Sequence, residues 1–288
     1  MRHIISLSTI PPRFGLIGGT LASLLQQKRR PEAIRLYIPR AYRRFPDYAG
    51  EVPQVPDGVE VVRVDDDLGP ASKVLFAARD LRGQAVDILY CDDDHHYSPG
   101  WSAGLLAGRA RHPEAAVAAA GRTVASLQLP DNHPKPQPQA RHAPVLNERL
   151  GFQLRRLWAE YRHRKGPPMP FGIPFRTVVR SGYTDIAEGY RGVAIRPDFL
   201  DDVAFEIPPV MWSVDDIWLS GMMARRGIDI WAEAGPVRGR VIVQASAAVP
   251  LFLAEIDGAR RREANRACAL YLQRTYGIWG GAGGEPAP

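Results

Sequence analysis

Val86-Asp87-Ile88-Leu89-Tyr90-Cys91-Asp92-Asp93-Asp94-His95-His96 is the stretch on which the fold turns. Its first half, Val86–Cys91, is short and almost wholly apolar, the composition of a strand buried on both faces. Its second half begins with three carboxylates in a row. Residues two apart on an extended chain point to the same side, so Asp92 and Asp94 are expected to converge. Adjacent carboxylates repel one another unless a cation or hydrogen-bond donors offset them. Hard oxygen ligands of this kind suit Mg²⁺ or Mn²⁺, which can hold substrate phosphates at the same time. The plainer alternative is a polar turn that ends a strand. His95 and His96 do not complete a zinc site, because neighbours on extended backbone point oppositely and no H-x-x-x-H or cysteine partner is present.

Read outward, this strand is the fourth in an alternating series. Strands are expected at Ile4–Thr9, Ala33–Ile38, Val59–Val64, Val86–Cys91 and Ala115–Ala119, and helices at Gly18–Gln27, Ala71–Leu81 and Pro99–Arg109. Alternation at this spacing predicts an α/β fold: a mostly parallel sheet with helices on both faces and ligands at the carboxyl ends of the strands. The segment Pro130–Pro144 contains five prolines and almost no apolar residue. It is expected to avoid regular structure and to be either a connector or a mobile flap. Further on, helices are expected at Leu150–Tyr161, Val214–Arg226 and Arg260–Tyr276, strands and turns over Phe171–Phe199, and a strand at Ile228–Ala232. One domain spanning residues 1–279 and a disordered Gly/Pro-rich tail over 280–288 complete the expectation.

Other chemistry-bearing segments fall at predicted element ends. After the first strand, Ser8-Thr9-Ile10-Pro11-Pro12-Arg13 offers the Thr9 hydroxyl and the fixed charge of Arg13 for phosphate or carboxylate. After the third, Asp65-Asp66-Asp67-Leu68-Gly69-Pro70-Ala71-Ser72-Lys73 places an aspartate, taken as Asp66, where it can accept from a base or ribose. Lys73 would fall in the first turn of a helix, a positive site suited to a diphosphate. Ser213 is a good N-cap, with Asp216 three residues later as in a capping box, so Asp215 and Asp216 have a purely structural explanation. In Glu188-Gly189-Tyr190-Arg191-Gly192-Val193, the glycines permit close approach of backbone to a ligand, or mark a hairpin.

Together these segments resemble the GT-A glycosyltransferases. Asp92-Asp93-Asp94 is similar to their D-x-D motif, Gly69–Lys73 to a G-P-x-x-K segment, and Asp215-Asp216 to the acidic pair that opens the acceptor-side helix. The resemblance implies a single Rossmann-like GT-A domain and a hexosyltransferase-type activity. It implies Mn²⁺ or Mg²⁺ held by Asp94 and Asp92, and a nucleotide-sugar, UDP-linked by family frequency. It puts Thr9, Arg13, Asp66, Lys73, Asp92, Asp93 and Gly192 on the donor. Asp216 becomes the general base that deprotonates an acceptor hydroxyl, with Asp215 orienting it and inversion as the outcome. The family's pair is often Glu-Asp, and here it is Asp-Asp. Several members complete the metal shell with a downstream histidine, and this chain has none after His163. A sugar-phosphate nucleotidyltransferase is the alternative enzyme, but the glycines it usually carries after the first strand are missing. A degenerate transferase used only for binding, or a basic nucleic-acid binder, are the non-catalytic alternatives.

Net charge is +6 from 37 basic and 31 acidic residues. The basic residues are spread along the chain, with clusters at Arg155-Arg156, Arg162–Lys165 and Arg260–Arg262 that read as solvated faces or a membrane-surface patch. No nucleic-acid partner is expected, since no zinc-finger, homeodomain or aromatic RNA-binding signature occurs. The expected acceptor is a glycan, a lipid-linked molecule or a protein. No apolar run is long enough to span a bilayer and no signal peptide is evident, so a cytoplasmic protein, with peripheral membrane association, is expected. Cys91 and Cys268 are read as ordinary thiols.

Overall fold

The computed structural model describes residues 2–130, 133–143, 178–235, 239–241, 255–256 and 259–280. Strands β1 (His3–Ser8), β2 (Ile34–Pro39), β3 (Val59–Val64) and β4 (Asp87–Tyr90) alternate with helices α1 (Gly18–Leu25) and α2 (Leu75–Asp80). Then follow β5 (His95–Tyr97), α3 (Trp101–Arg111), β6 (Ala116–Ala118) and β7 (Gly121–Arg122). Next come β8 (Arg141–His142), β9 (Val178–Arg180), β10 (Gly182–Thr184), β11 (Ile186–Ala187) and β12 (Val193–Ile195). The carboxyl-terminal part carries α4 (Asp215–Arg225), β13 (Ile230–Ala232), β14 (Gly239–Val241) and α5 (Arg261–Tyr276). One eight-stranded sheet runs in the order β10-β13-β6-β12-β4-β1-β2-β3. Within it β12 and β10 run against the rest, and the other neighbours are parallel. This is the α/β class expected from the alternation.

Alternate strand residues feed opposite faces, as the two-residue period requires. Ile88 and Tyr90 pack with α2, α4 and α5, whereas Leu89 and Cys91 pack with α1 and α3. β4 is therefore covered on both sides, which explains its unbroken apolar run. At its amino end Asp87 meets Arg109 of α3 at 3.1 Å, and both side chains are almost fully buried. The guanidinium is further used by the carbonyls of His112 and Ala115.

Several expected elements shift. The helix expected over Ala71–Leu81 is split into a 3₁₀ turn, Gly69–Lys73, and α2. The break falls at Val74, whose φ of −139° is not helical. The Lys73 carbonyl just before it accepts the Ser6 hydroxyl at 2.6 Å. Lys73 thus closes a turn rather than opening a helix. The helix expected from Pro99 starts at Trp101, since Pro99 and Gly100 are still in the entry turn. The capping box at Ser213 does not form. The cap position is Val214 with no side-chain hydrogen bond, and Asp216 bonds elsewhere.

The proline-rich stretch was expected to avoid regular structure, yet its described part is pinned. Arg141–His142 pairs with β9, Tyr183 donates to the Pro138 carbonyl, and Asp185 takes His133 and Lys135. It covers β10, the edge strand of the sheet, where unpaired backbone groups need partners. The helix expected at Leu150–Tyr161, the basic clusters at 155–156 and 162–165, and the tail beyond Gly280 lie outside the described residues. Among described residues no helix is long and apolar enough to cross a membrane.

The Asp87–Arg109 pair generates a stability prediction. Removing one partner of a buried ion pair strands the other charge, at a cost of about 3–5 kcal/mol. Asp87→Ala should therefore lower the unfolding free energy by roughly that amount in urea titration. A change below about 1 kcal/mol would mean that solvent or another group takes over Asp87's role.

Candidate active site

The aspartate run leaves β4 as a turn, not as extended chain, before the backbone re-enters β5. The expected extended geometry of Asp92 and Asp94 is therefore replaced by a turn in which the three carboxylates have different protein partners. Asp93 points inward and is 5% exposed. It accepts the Thr9 hydroxyl, and Arg13 Nη1 lies 2.6 Å from its Oδ1. Thr20 Oγ1 donates to its backbone carbonyl at 2.7 Å. Burial raises the pKa of Asp93, and Arg13 and the Thr9 hydroxyl oppose that rise. Asp94 lies 2.6 Å from His95 Nδ1 and 3.7 Å from Arg13. His95 is buried and His96 exposed, the alternation expected of neighbours on a strand.

Asp92 has its Oδ1 2.6 Å from Lys73 Nζ. Its backbone is fixed by Tyr97, whose hydroxyl accepts the Asp92 N–H at 3.2 Å. The same hydroxyl lies 3.0 Å from the Asp92 carbonyl oxygen and 3.1 Å from that of Tyr190. Tyr97 thereby joins the aspartate turn to the segment leading into β12.

Lys73 connects this turn to the acidic pair. Its Nζ is 2.6 Å from Asp215 Oδ2 and 3.8 Å from Asp216 Oδ1. Burial by itself would lower the lysine pKa, but Asp215, Asp92 and Asp216 hold it well above the ordinary value. Both aspartates open α4, where a helix amino terminus favours negative charge. Asp216 Oδ1 accepts the Gly189 N–H at 3.0 Å, and Ser220 Oγ ties the Asp216 carbonyl to the Ala187 N–H. A Cβ on residue 189 would sit 2.4 Å from Lys73 Nζ, so a side chain there would have to push the lysine tip aside.

Residues far apart in the sequence, Asp92, Lys73, Asp215 and Asp216, are thus assembled at the carboxyl end of the sheet. Thr9 and Arg13 join them through Asp93. Asp66 does not: it is exposed, while Asp65 pairs with Arg40 and Asp67 accepts the N–H groups of Gly69 and Arg43. Asp67 is the ordered carboxylate of the three, closing a turn on its own backbone two residues on. Gly192 has φ +98°, and Trp101 ring atoms lie within 2.6 Å of where its Cβ would be, so a side chain there is excluded twice over. Gly189, Tyr97 and Thr20 were missed by sequence reasoning. Gly189 stood in the quoted glycine segment, whereas Tyr97 and Thr20 carried no motif.

The carboxylate chemistry fits a divalent cation of one particular kind. Among the described residues Arg13 and Lys73 lie beside Asp92, Asp93, Asp94, Asp215 and Asp216, and Asp92 is the most accessible of the five carboxylates, its side chain 33% exposed. Among the described residues no group of three His, Cys, Asp or Glu side chains could hold a metal by itself. That donor set suits an ion such as Mg²⁺ or Mn²⁺ bound by one or two carboxylates together with substrate phosphates and water.

No family model matches the chain, and no curated protein matches its sequence. Its structure is similar to solved glycosyltransferase structures at low identity. TarS of S. aureus is 14% identical over 84% of this chain and 37% of its own, with a TM-score of 0.43. A structure of TarS 1–349 in complex with UDP is 11% identical, covering 82% of this chain and 61% of that one, with a TM-score of 0.37. A structure of GalNAc-T7 with UDP, GalNAc and Mn²⁺ is 13% identical, covering 95% of this chain and 47% of that one, with a TM-score of 0.49. The chain thus spans well under two thirds of that first TarS chain and of the GalNAc-T7 chain. None of these likenesses reaches a TM-score of 0.5, so what the chain does has to be argued from its own residues.

Proposed function

We propose that this chain is a metal-dependent GT-A glycosyltransferase that moves a sugar from a nucleotide-sugar, UDP-linked in the first instance, to an acceptor hydroxyl with inversion. The observation that carries the reading is the meeting of Asp92, Lys73, Asp215 and Asp216 at the carboxyl ends of the strands. In open α/β sheets that edge is where ligands bind.

In this reading Asp94 and Asp92 hold Mn²⁺ or Mg²⁺, which when bound offsets the charge of the departing nucleoside diphosphate. Asp93, satisfied by Thr9 and Arg13, braces the turn that presents both carboxylates. Thr9 and Arg13 line the base and ribose side, and the backbone at Gly192 passes beneath the sugar. Asp216 accepts the proton of the acceptor hydroxyl as that oxygen attacks the anomeric carbon. Its Oδ1 is already fixed by the Gly189 N–H, which orients the carboxylate before the acceptor arrives. Direct displacement by one nucleophile inverts the anomeric centre. The acceptor is a glycan, a lipid-linked molecule or a protein, and peripheral attachment to a membrane belongs to the lipid-linked case.

A thermal-shift screen of nucleotide-sugars with and without Mn²⁺ tests the reading directly. The correct donor at about 100 times its Kd should add about 2.7 kcal/mol of stability in the presence of the metal. Failure of every nucleotide-sugar to stabilise the protein, with the metal present, sinks it. Asp94→Ala should erase the metal-dependent increment, and an unchanged increment would remove Asp94 from the metal site. Asp216→Asn should cut kcat by about 10²–10⁴ while leaving donor affinity in place. Full turnover in that variant would leave Asp216 no role in proton transfer.

A further inference from the structure

We propose that Arg122 sets acceptor specificity: its guanidinium receives an oxyanion, phosphate or carboxylate, carried by the acceptor, and Glu188 holds its place until then. Assignment to the acceptor rests on the glycosyltransferase reading, whereas the oxyanion seat itself does not.

Arg122 ends β7, just past the carboxyl end of β6. β7 pairs with β11, and beyond β11 the Glu188 N–H donates to the Ala120 carbonyl at 3.0 Å. The next residue, Gly189, is the one whose N–H holds Asp216. Glu188 is thus one residue from the contact that orients the proposed base.

The Arg122 side chain is 22% exposed, and its Nε is shielded from solvent with no hydrogen bond. Its ion pair among the described residues is with Glu188 at 3.6 Å, beyond hydrogen-bond reach. Arg109, by contrast, spends its guanidinium on Asp87 and two carbonyls. A guanidinium carries five donors in a fixed fork that grips an oxyanion at two points. Arg122 keeps that fork unspent at a largely buried position, where a loosely matched charge is costly. The ribbon of β8 and β9 abuts the same place, since His142 Nε2 lies 2.7 Å from the Gly121 carbonyl oxygen. In that ribbon Arg141 stands opposite Arg180, both exposed, with no carboxylate paired to either among the described residues. Like charges directly opposite on neighbouring strands are destabilising, and an anion would relieve them.

The test titrates the full chain, free of metal, with inorganic phosphate and separately with acetate, against chloride at matched ionic strength, reading Tm and calorimetry. At least one oxyanion should raise Tm in the parent, and which one does so identifies the group. Arg122→Gln should weaken that binding at least about tenfold. Arg122→Lys, which keeps the charge without the fork, should weaken it as well. Glu188→Gln removes the competing carboxylate and should tighten it about threefold or more. UDP affinity of Arg122→Gln should stay within about threefold of the parent. A parent indifferent to both anions, an undiminished response in Arg122→Gln, or no gain in Glu188→Gln would overturn the oxyanion seat. A loss of UDP affinity of about tenfold or more in Arg122→Gln would place the residue on the donor and overturn its assignment to the acceptor. Absence of UDP binding by the parent would defeat the glycosyltransferase reading, and the phosphate and acetate series would still decide whether Arg122 seats an oxyanion.

Discussion

The Lys73 ammonium lies between carboxylates drawn from distant parts of the chain, Asp92 from the turn after β4 and Asp215 from the start of α4. Without a buried cation, three carboxylates brought to one edge of a sheet would repel one another and draw in water. With it, the turn and the helix are held in register although no backbone pairing joins them.

β4 shows how the sheet separates stability from chemistry. Its interior residues pack on both faces. At one end Asp87 is matched by Arg109 in a closed ion pair. At the other end Asp92 and Asp94 retain some exposure. The same residue type thus stands in a closed pair at one end and beside a more exposed cluster at the other. Rigid strands carry the exposed end, so its geometry does not have to be assembled when a ligand binds.

Much of this was legible in the sequence, and the exceptions have physical causes. The order of strands and helices followed from period and composition, and Val59–Val64 was placed exactly as it folds. The acidic segments were recognised because charged residues at the end of an apolar run are conspicuous. What periodicity does not carry is direction within a turn. Asp92–Asp94 was read as extended chain, and the turn sends its side chains to different partners. In Asp65–Asp67 nothing local distinguishes the aspartate that closes on Gly69 from the one left in solvent. The interruption at Val74 was hidden because its neighbours are all good helix formers. Its companion contact, Ser6 to the Lys73 carbonyl, exists only in three dimensions. The capping box at Ser213 was a sound local inference overruled by Gly189, whose N–H offers Asp216 a partner from another element.

The empty volume beside Gly189 has an evolutionary corollary. Because the tip of Lys73 fills the place of a methyl group at residue 189, the two positions are not free to drift apart. A lineage that keeps a long cation at 73 admits a side chain at 189 only by moving the lysine tip, whereas a shorter residue at 73 opens that space. Among descendants of a common ancestor, these two positions should change together.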